Sequence, residues 1–155
     1  MQDFGLARCI DAVYTGGTKQ VDRLTNNVIT LWYRPPELLL GLQKYGCPVD
    51  MWSAGCILAE LILCKPLFPG KTELEQLDLI FKVVGTPTDK TWPGHDKLPR
   101  FQQLQPKEAY QSMLEERYGE RFATCDKQAT NLIKHLLNLD ASKRKVSQFF
   151  SSSVI

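Results

Sequence analysis

The chain lacks most of the features that mark a secreted, metal-bound or nucleic-acid-binding protein. Its five cysteines, Cys9, Cys47, Cys56, Cys64 and Cys125, are odd in number, scattered and never spaced as C-x-x-C. This argues against a disulfide framework or a zinc site and predicts reduced, mostly buried thiols of an intracellular protein. His95 and His135 are far apart and lack metal-ligand spacing, so neither is assigned chemistry. Lys and Arg number 19 against 17 Asp and Glu, a net charge of +2. That balance is too even to draw the chain to nucleic acid or a membrane surface, and no direct contact with either is expected. No apolar run reaches membrane-spanning length, and no signal-peptide pattern opens the chain. Internal repeats and low-complexity segments are absent. Strand patterns are nearly absent too: only Leu6 to Cys9 could pair in a short ribbon.

What is present is helical. The 155 residues are the length of one domain, and 43% hydrophobic content is enough for a core. Residues 9 to 30 are rich in Thr, Gly and Asn and broken by Gly16-Gly17, which predicts a loop. From Val49 to Leu63 apolar residues fall on nearly every side, as in a buried helix. Its expected span is about 50–63, with Asp50 as the N-cap and Lys65-Pro66 as the stop. Cys56 and Cys64 are expected to serve there as small hydrophobes. Thr72-Glu73-Leu74-Glu75 reads as a capping box, in which Thr72 and Glu75 satisfy each other's free amides. The predicted apolar face of that helix is Leu74, Leu77, Ile80, Phe81 and Val84, and Gly85 with Pro87 ends it. An irregular, proline-bearing insert covers about 86–122, with a short helix around Glu108 to Tyr118. The last helix, about 126–139, starts from an Asp126 cap and carries Leu132, Ile133, Leu136 and Leu137. The expected fold class is mainly α.

Four motifs punctuate this pattern. Asp3-Phe4-Gly5-Leu6-Ala7-Arg8 opens the chain, and Thr25-Asn26-Asn27-Val28-Ile29-Thr30-Leu31-Trp32-Tyr33-Arg34-Pro35-Pro36-Glu37 follows after the loop. Asp50-Met51-Trp52-Ser53-Ala54-Gly55 begins the central helix, and Leu139-Asp140-Ala141-Ser142-Lys143-Arg144 lies near the end. D-F-G alone is a weak tripeptide that reads as a turn with one acid. All four together resemble the activation segment and helical lobe of a cyclin-dependent protein kinase, from the D-F-G Asp to the final Arg element. Thr25 is followed by Asn27, not by Tyr, and Leu31 stands where mitogen-activated kinases carry Arg, which favours the cyclin-dependent branch. Pro35, with Trp92-Pro93 and Leu98-Pro99, resembles the transcriptional members that act on RNA polymerase II C-terminal repeats.

The resemblance implies roles residue by residue. Asp3 matches the catalytic Asp that holds magnesium on ATP, a hard cation that wants carboxylate oxygen. Thr25 matches the activating phosphorylation site, and Arg8 one of the arginines that coordinate the phosphate. Thr30 matches the Thr that bonds the catalytic-loop Asp. Val28, Ile29 and Arg34 match the substrate pocket that accepts proline after the phosphorylated Ser or Thr. Glu37 and Arg144 match a structural ion pair, and Trp32 and Tyr33 are expected to pack.

The implied domain is a partial kinase domain over 1–144, with the activation segment at 3–37 and a divergent tail at 145–155. No Gly-rich loop, strand Lys, helix C Glu or H-R-D loop precedes Asp3, so the nucleotide-facing lobe is expected to be absent. The implied activity is transfer of the ATP γ-phosphate to Ser/Thr-Pro sites, with ATP and Mg as cofactors and a T- or K-type cyclin as partner. The chain by itself is expected to be inactive and to hold Mg-ATP poorly. The alternative is a non-catalytic partner- or substrate-docking module. The implied location is the nucleus, otherwise the cytoplasm.

Overall fold

The computed structural model describes residues 30–144 apart from Lys107. Asp3, Arg8, Thr25, Val28 and Ile29 therefore lie outside the described residues, as do the ribbon expected at Leu6 to Cys9 and the tail at 145–155. The described residues form helices and turns with no strand. A 3-10 turn at Leu31–Tyr33 leads into α1 (Pro36–Leu39), where Pro36 sits in the first turn with a φ suited to helix entry. Then come α2 (Pro48–Leu63), α3 (Glu73–Val84), α4 (Phe101–Leu104), α5 (Leu114–Ala123) and α6 (Lys127–Leu136).

The central helix α2 is the axis of the packing. Trp52, Cys56, Ala59 and Leu63 fall on one stripe at helical spacing and are all buried. They join Phe68 from the following loop, Leu77, Ile80 and Phe81 of α3, Phe122 of α5 and Ile133 of α6 in one core. Gly55 lets α6 approach closely, since a Cβ there would sit 2.8 Å from the Cβ of Leu136. No described helix is long and apolar enough to cross a membrane.

Several expected details change. The α2 helix starts two residues earlier than expected, with Cys47 at the N-cap position and no side-chain cap bond. Asp50 is thus not the cap; it lies exposed in the first turn, where its charge still favours the amino end of the helix dipole. Nor is the helix covered all round: Ile57 is 48% and Leu61 72% exposed. Cys64 is not a packed hydrophobe but an exposed left-handed C-cap at φ 55°. The α3 face is rotated, with Leu74 exposed and Gln76 and Val83 buried. Thr72 does accept from the Glu75 amide (3.2 Å), but Glu75 reaches back to the amide of Lys71 (2.9 Å), not to that of Thr72. The helix expected near Glu108 forms six residues later, and α6 ends at Leu136, with its Asp126 cap accepting from the Gln128 amide at 2.7 Å.

Candidate functional site

The residues from Thr30 to Leu40 cross the ends of α2 and α3, and among the described residues Ser53, Glu60, Glu73 and Arg144 reach them from far along the chain. Thr30 is exposed, and its carbonyl accepts from the Tyr33 amide at 3.0 Å. Trp32, 39% exposed, donates its indole N–H to the Gly70 carbonyl at 2.9 Å. Tyr33 donates its hydroxyl to Glu60 at 2.8 Å, while its carbonyl accepts from Ser53 at 3.0 Å. The bond to Glu60 and partial burial raise the Tyr33 phenol above its ordinary value. Both aromatic residues therefore combine packing with a directed hydrogen bond.

Arg34 is buried, and its Nη1 donates to Glu73 Oε1 at 2.8 Å. The other oxygen of Glu73 accepts from Arg100 Nη1 at 2.7 Å. One carboxylate thus ties the segment to α3 and to the insert. Beside it, the amide of Gly70 donates to the buried Gln76 Oε1 at 3.0 Å. A side chain on Gly70 would collide with Gln76, its Cβ lying 2.7 Å from the Gln76 amide nitrogen. Glu60, Glu73, Gln76 and Arg100 escaped the sequence reading. Glu73 was visible only as a first-turn acid, and nothing in the sequence paired it with residues 39 positions before and 27 after it.

At the other end of the segment Glu37 and Arg144 meet. Arg144 Nη1 and Nη2 donate to the two Glu37 oxygens at 2.7 and 2.8 Å, with side-chain exposures of 0% and 2%. The remaining donors reach the carbonyls of Asn138 (2.6 Å), Pro48 (3.2 Å) and Leu139 (3.0 Å). All five guanidinium N–H groups are thereby used. The guanidinium also lies over the Trp52 ring, 5.0 Å from its centroid. A turn at Ala141–Lys143 carries the chain into Arg144, and Asp140 caps it through the Ser142 amide and hydroxyl (3.0 and 2.7 Å). Burial pushes the Asp140 carboxyl up, but the Ser142 bonds and Lys143 outweigh it and hold it below its ordinary value. Cys56, next to this centre, has its thiol pushed well up by burial and is a packing group, not a nucleophile.

Two arginine–carboxylate centres thus bracket the segment from Arg34 to Glu37. The protein kinase domain model matches residues 1–152. The chain belongs to the protein kinase family. It is 49% identical to cyclin-dependent kinase C-1 of Arabidopsis thaliana over 144 residues, covering 93% of this chain and 26% of that protein. Among solved structures, it is similar to a chain of the yeast RNA Pol II CTD kinase CTDK-1 complex (TM-score 0.76, 41% identity, 84% of this chain and 43% of that one). It is likewise similar to a chain of the Chaetomium thermophilum CAK complex bound to ATP-gamma-S (TM-score 0.71, 43% identity, 81% and 39%). Its similarity lies with cyclin-dependent kinases of the transcriptional branch. The kinase segment spans about a quarter of the length of its curated plant relative.

Among the described residues no group of three or more His, Cys, Asp or Glu side chains could hold a metal ion. Thr30 and Trp32 are exposed, and the buried Arg34 is held by Glu73.

Proposed function

We propose that this chain supplies the substrate-facing helical lobe of a cyclin-dependent Ser/Thr kinase acting at Ser/Thr-Pro sites. RNA polymerase II C-terminal repeats are the proposed substrate, a T- or K-type cyclin the partner, and the nucleus the location. The observation that carries this reading is the bracing of one segment at both ends, Arg34 by Glu73 and Glu37 by Arg144. Such bracing holds Arg34, one of the proposed pocket residues, without using any group needed for phosphoryl transfer. Val28 and Ile29 would complete the proline pocket, Thr30 would meet the catalytic Asp, and Thr25 with Arg8 would provide the phosphorylation switch. Transfer itself needs several nucleotide-positioning groups acting together. Asp3 alone cannot strip magnesium of its hydration, so the 155-residue chain by itself is proposed to be inactive.

A second reading, a non-catalytic docking module, draws on the uncovered α2 stripe. Ile57 and Leu61 are exposed beside a cleft also lined by Tyr33, Glu60 and Cys64.

A chimera separates the two readings. Residues 3–144 replace the matching stretch of an active cyclin-dependent kinase, which is assayed with its cyclin, labelled ATP, magnesium and Ser-Pro or Ser-Ala repeat peptides. The expected result is label on the Ser-Pro peptide alone, lost in Asp3→Asn and reduced in Thr25→Ala. The isolated chain should give none. A folded, nucleotide-binding chimera that fails to label Ser-Pro peptide would favour the docking module.

A further inference from the structure

A cavity of about 350 Å³ lies where the end of α3, the start of α5, the end of α6 and the final turn come together. Asn138, Leu139 and Lys143 in its lining border the Glu37–Arg144 centre, and its other lining residues belong to neither arginine–carboxylate centre. Its apolar wall is Val84, Leu114, Leu137 and Leu139, and Thr86, Thr91, Ser112 and Asn138 add hydroxyl, amide and backbone groups. Three lysines complete it, Lys90, Lys134 and Lys143, and no aspartate or glutamate is among the lining residues. The lysines come from three separate segments: the loop after α3, the last turn of α6 and the Ala141–Lys143 turn. Lys134 pairs with Glu115 and Lys143 with Asp140 (3.5 Å), but both carboxylates stand outside the cavity wall. Lys143 also reaches the Thr91 carbonyl at 3.4 Å, which draws its ammonium to the cavity rim.

We propose that this cavity binds a phosphomonoester carried on a peptide, the side chain of a phosphoserine or phosphothreonine. Lys134 and Lys143 each share their charge with one carboxylate outside the wall, so the lining itself is three lysines and no acid, a surface that favours an anion. A phosphomonoester has nearly two negative charges and three strong acceptor oxygens, which suits three ammoniums and neighbouring hydroxyls. A single carboxylate would leave more of that positive charge unanswered. The cavity is larger than a phosphate group, and its four aliphatic residues favour carbon next to the anion, as a phosphorylated residue and its neighbour provide. No aromatic or arginine side chain lines it, so it has no platform for stacking a nucleobase. The site is independent of the kinase reading and would let the lobe hold a protein that is already phosphorylated.

The test is a titration of the full 155-residue chain, followed by methyl and amide NMR. The ligands are a phosphoserine peptide flanked by leucines, its unphosphorylated form and inorganic phosphate. The phosphopeptide is expected to bind at least about tenfold more tightly than either control, to shift the Leu114 and Leu137 methyls, and to weaken as salt rises. Lys90→Gln with Lys134→Gln and Lys143→Gln should cost at least about tenfold in affinity. Lys65→Gln with Lys71→Gln and Lys97→Gln, the same charge change at exposed sites, should cost little. Lys90→Gln alone, in an exposed loop, should weaken binding without disturbing the turn that leads to Arg144. Absence of binding, equal affinity for both peptides, or equal losses in the two triple variants would overturn the proposal. Inorganic phosphate binding as tightly as the phosphopeptide would overturn the peptide source.

Discussion

Both faces of α2 carry large apolar side chains, in opposite surroundings. On one face, Trp52, Cys56, Ala59 and Leu63 are buried against α3, α5, α6 and the Phe68 loop. There Trp52 stacks near-parallel on Phe68, with centroids 6.0 Å apart, and supports the Arg144 guanidinium on its ring. On the other face, Ile57 and Leu61 point outward among the described residues. Hydrophobicity alone did not choose between the faces. The difference lies in what the fold brings to each, and it teaches that an apolar helix all round is a statement about demand for cover, not about cover supplied. Substitutions on the two faces should therefore differ by several-fold in cost.

The largest effect is expected where the buried face meets the ion pair. Arg144→Ala leaves the Glu37 carboxylate buried without its partner, and such a loss costs about 3–5 kcal/mol. Lys143→Ala, next to it but exposed, should change stability by no more than about 0.5 kcal/mol. Denaturant midpoints of the two variants check this. Small, equal shifts would mean that the pair does not hold the segment.

A smaller loss is expected at Gly55→Val. The first added carbon already lies 2.8 Å from the Leu136 Cβ and 3.0 Å from a Leu137 methyl, so α6 must move away. Overpacking of this kind costs about 1–3 kcal/mol. Ala54→Val, one residue away on the exposed face, is the control; equal midpoints would show that α2 and α6 are not tightly seated in solution.

The smallest effect belongs to Leu61→Gln. A surface substitution on the uncovered face should move stability by no more than about 0.5 kcal/mol. It should nevertheless reduce the binding of a hydrophobic dye, since it removes the most exposed large apolar side chain named on the helix. A loss above about 1 kcal/mol would instead reveal that the α2 stripe is covered in solution, collapsing the contrast between its faces.

Much of the architecture was legible because it is local. The Thr72 and Asp126 caps are set by side chains reaching amides two or three residues on, a distance that sequence spacing encodes directly. The end of α3 at Gly85 is legible for the same reason. The starts of α2 and α5 were harder to place. Pro48 can begin a helix without a side-chain cap, and α5 starts at Leu114 after a segment pinned to α3 by the Met113 amide, which donates to the Val83 carbonyl. The orientation of Leu74 also escaped, because Gln76, though polar, is buried by its bond to the Gly70 amide.

The sequence by itself determined the family, through motifs whose register is written in consecutive residues, and the helical class, through apolar periodicity. It also pointed to Glu37 and Arg144 as partners by resemblance. Only the tertiary structure decided how they meet: a bidentate pair 107 residues apart, with the other three guanidinium N–H groups on backbone carbonyls. It alone decided that Arg34 and Arg100 share Glu73, that one face of α2 lies open among the described residues, and that three lysines line one cavity. The physical reason is range. Caps and periodicities act over a turn of helix, whereas a carboxylate's partners and a side chain's cover depend on which distant segments the packed core brings alongside.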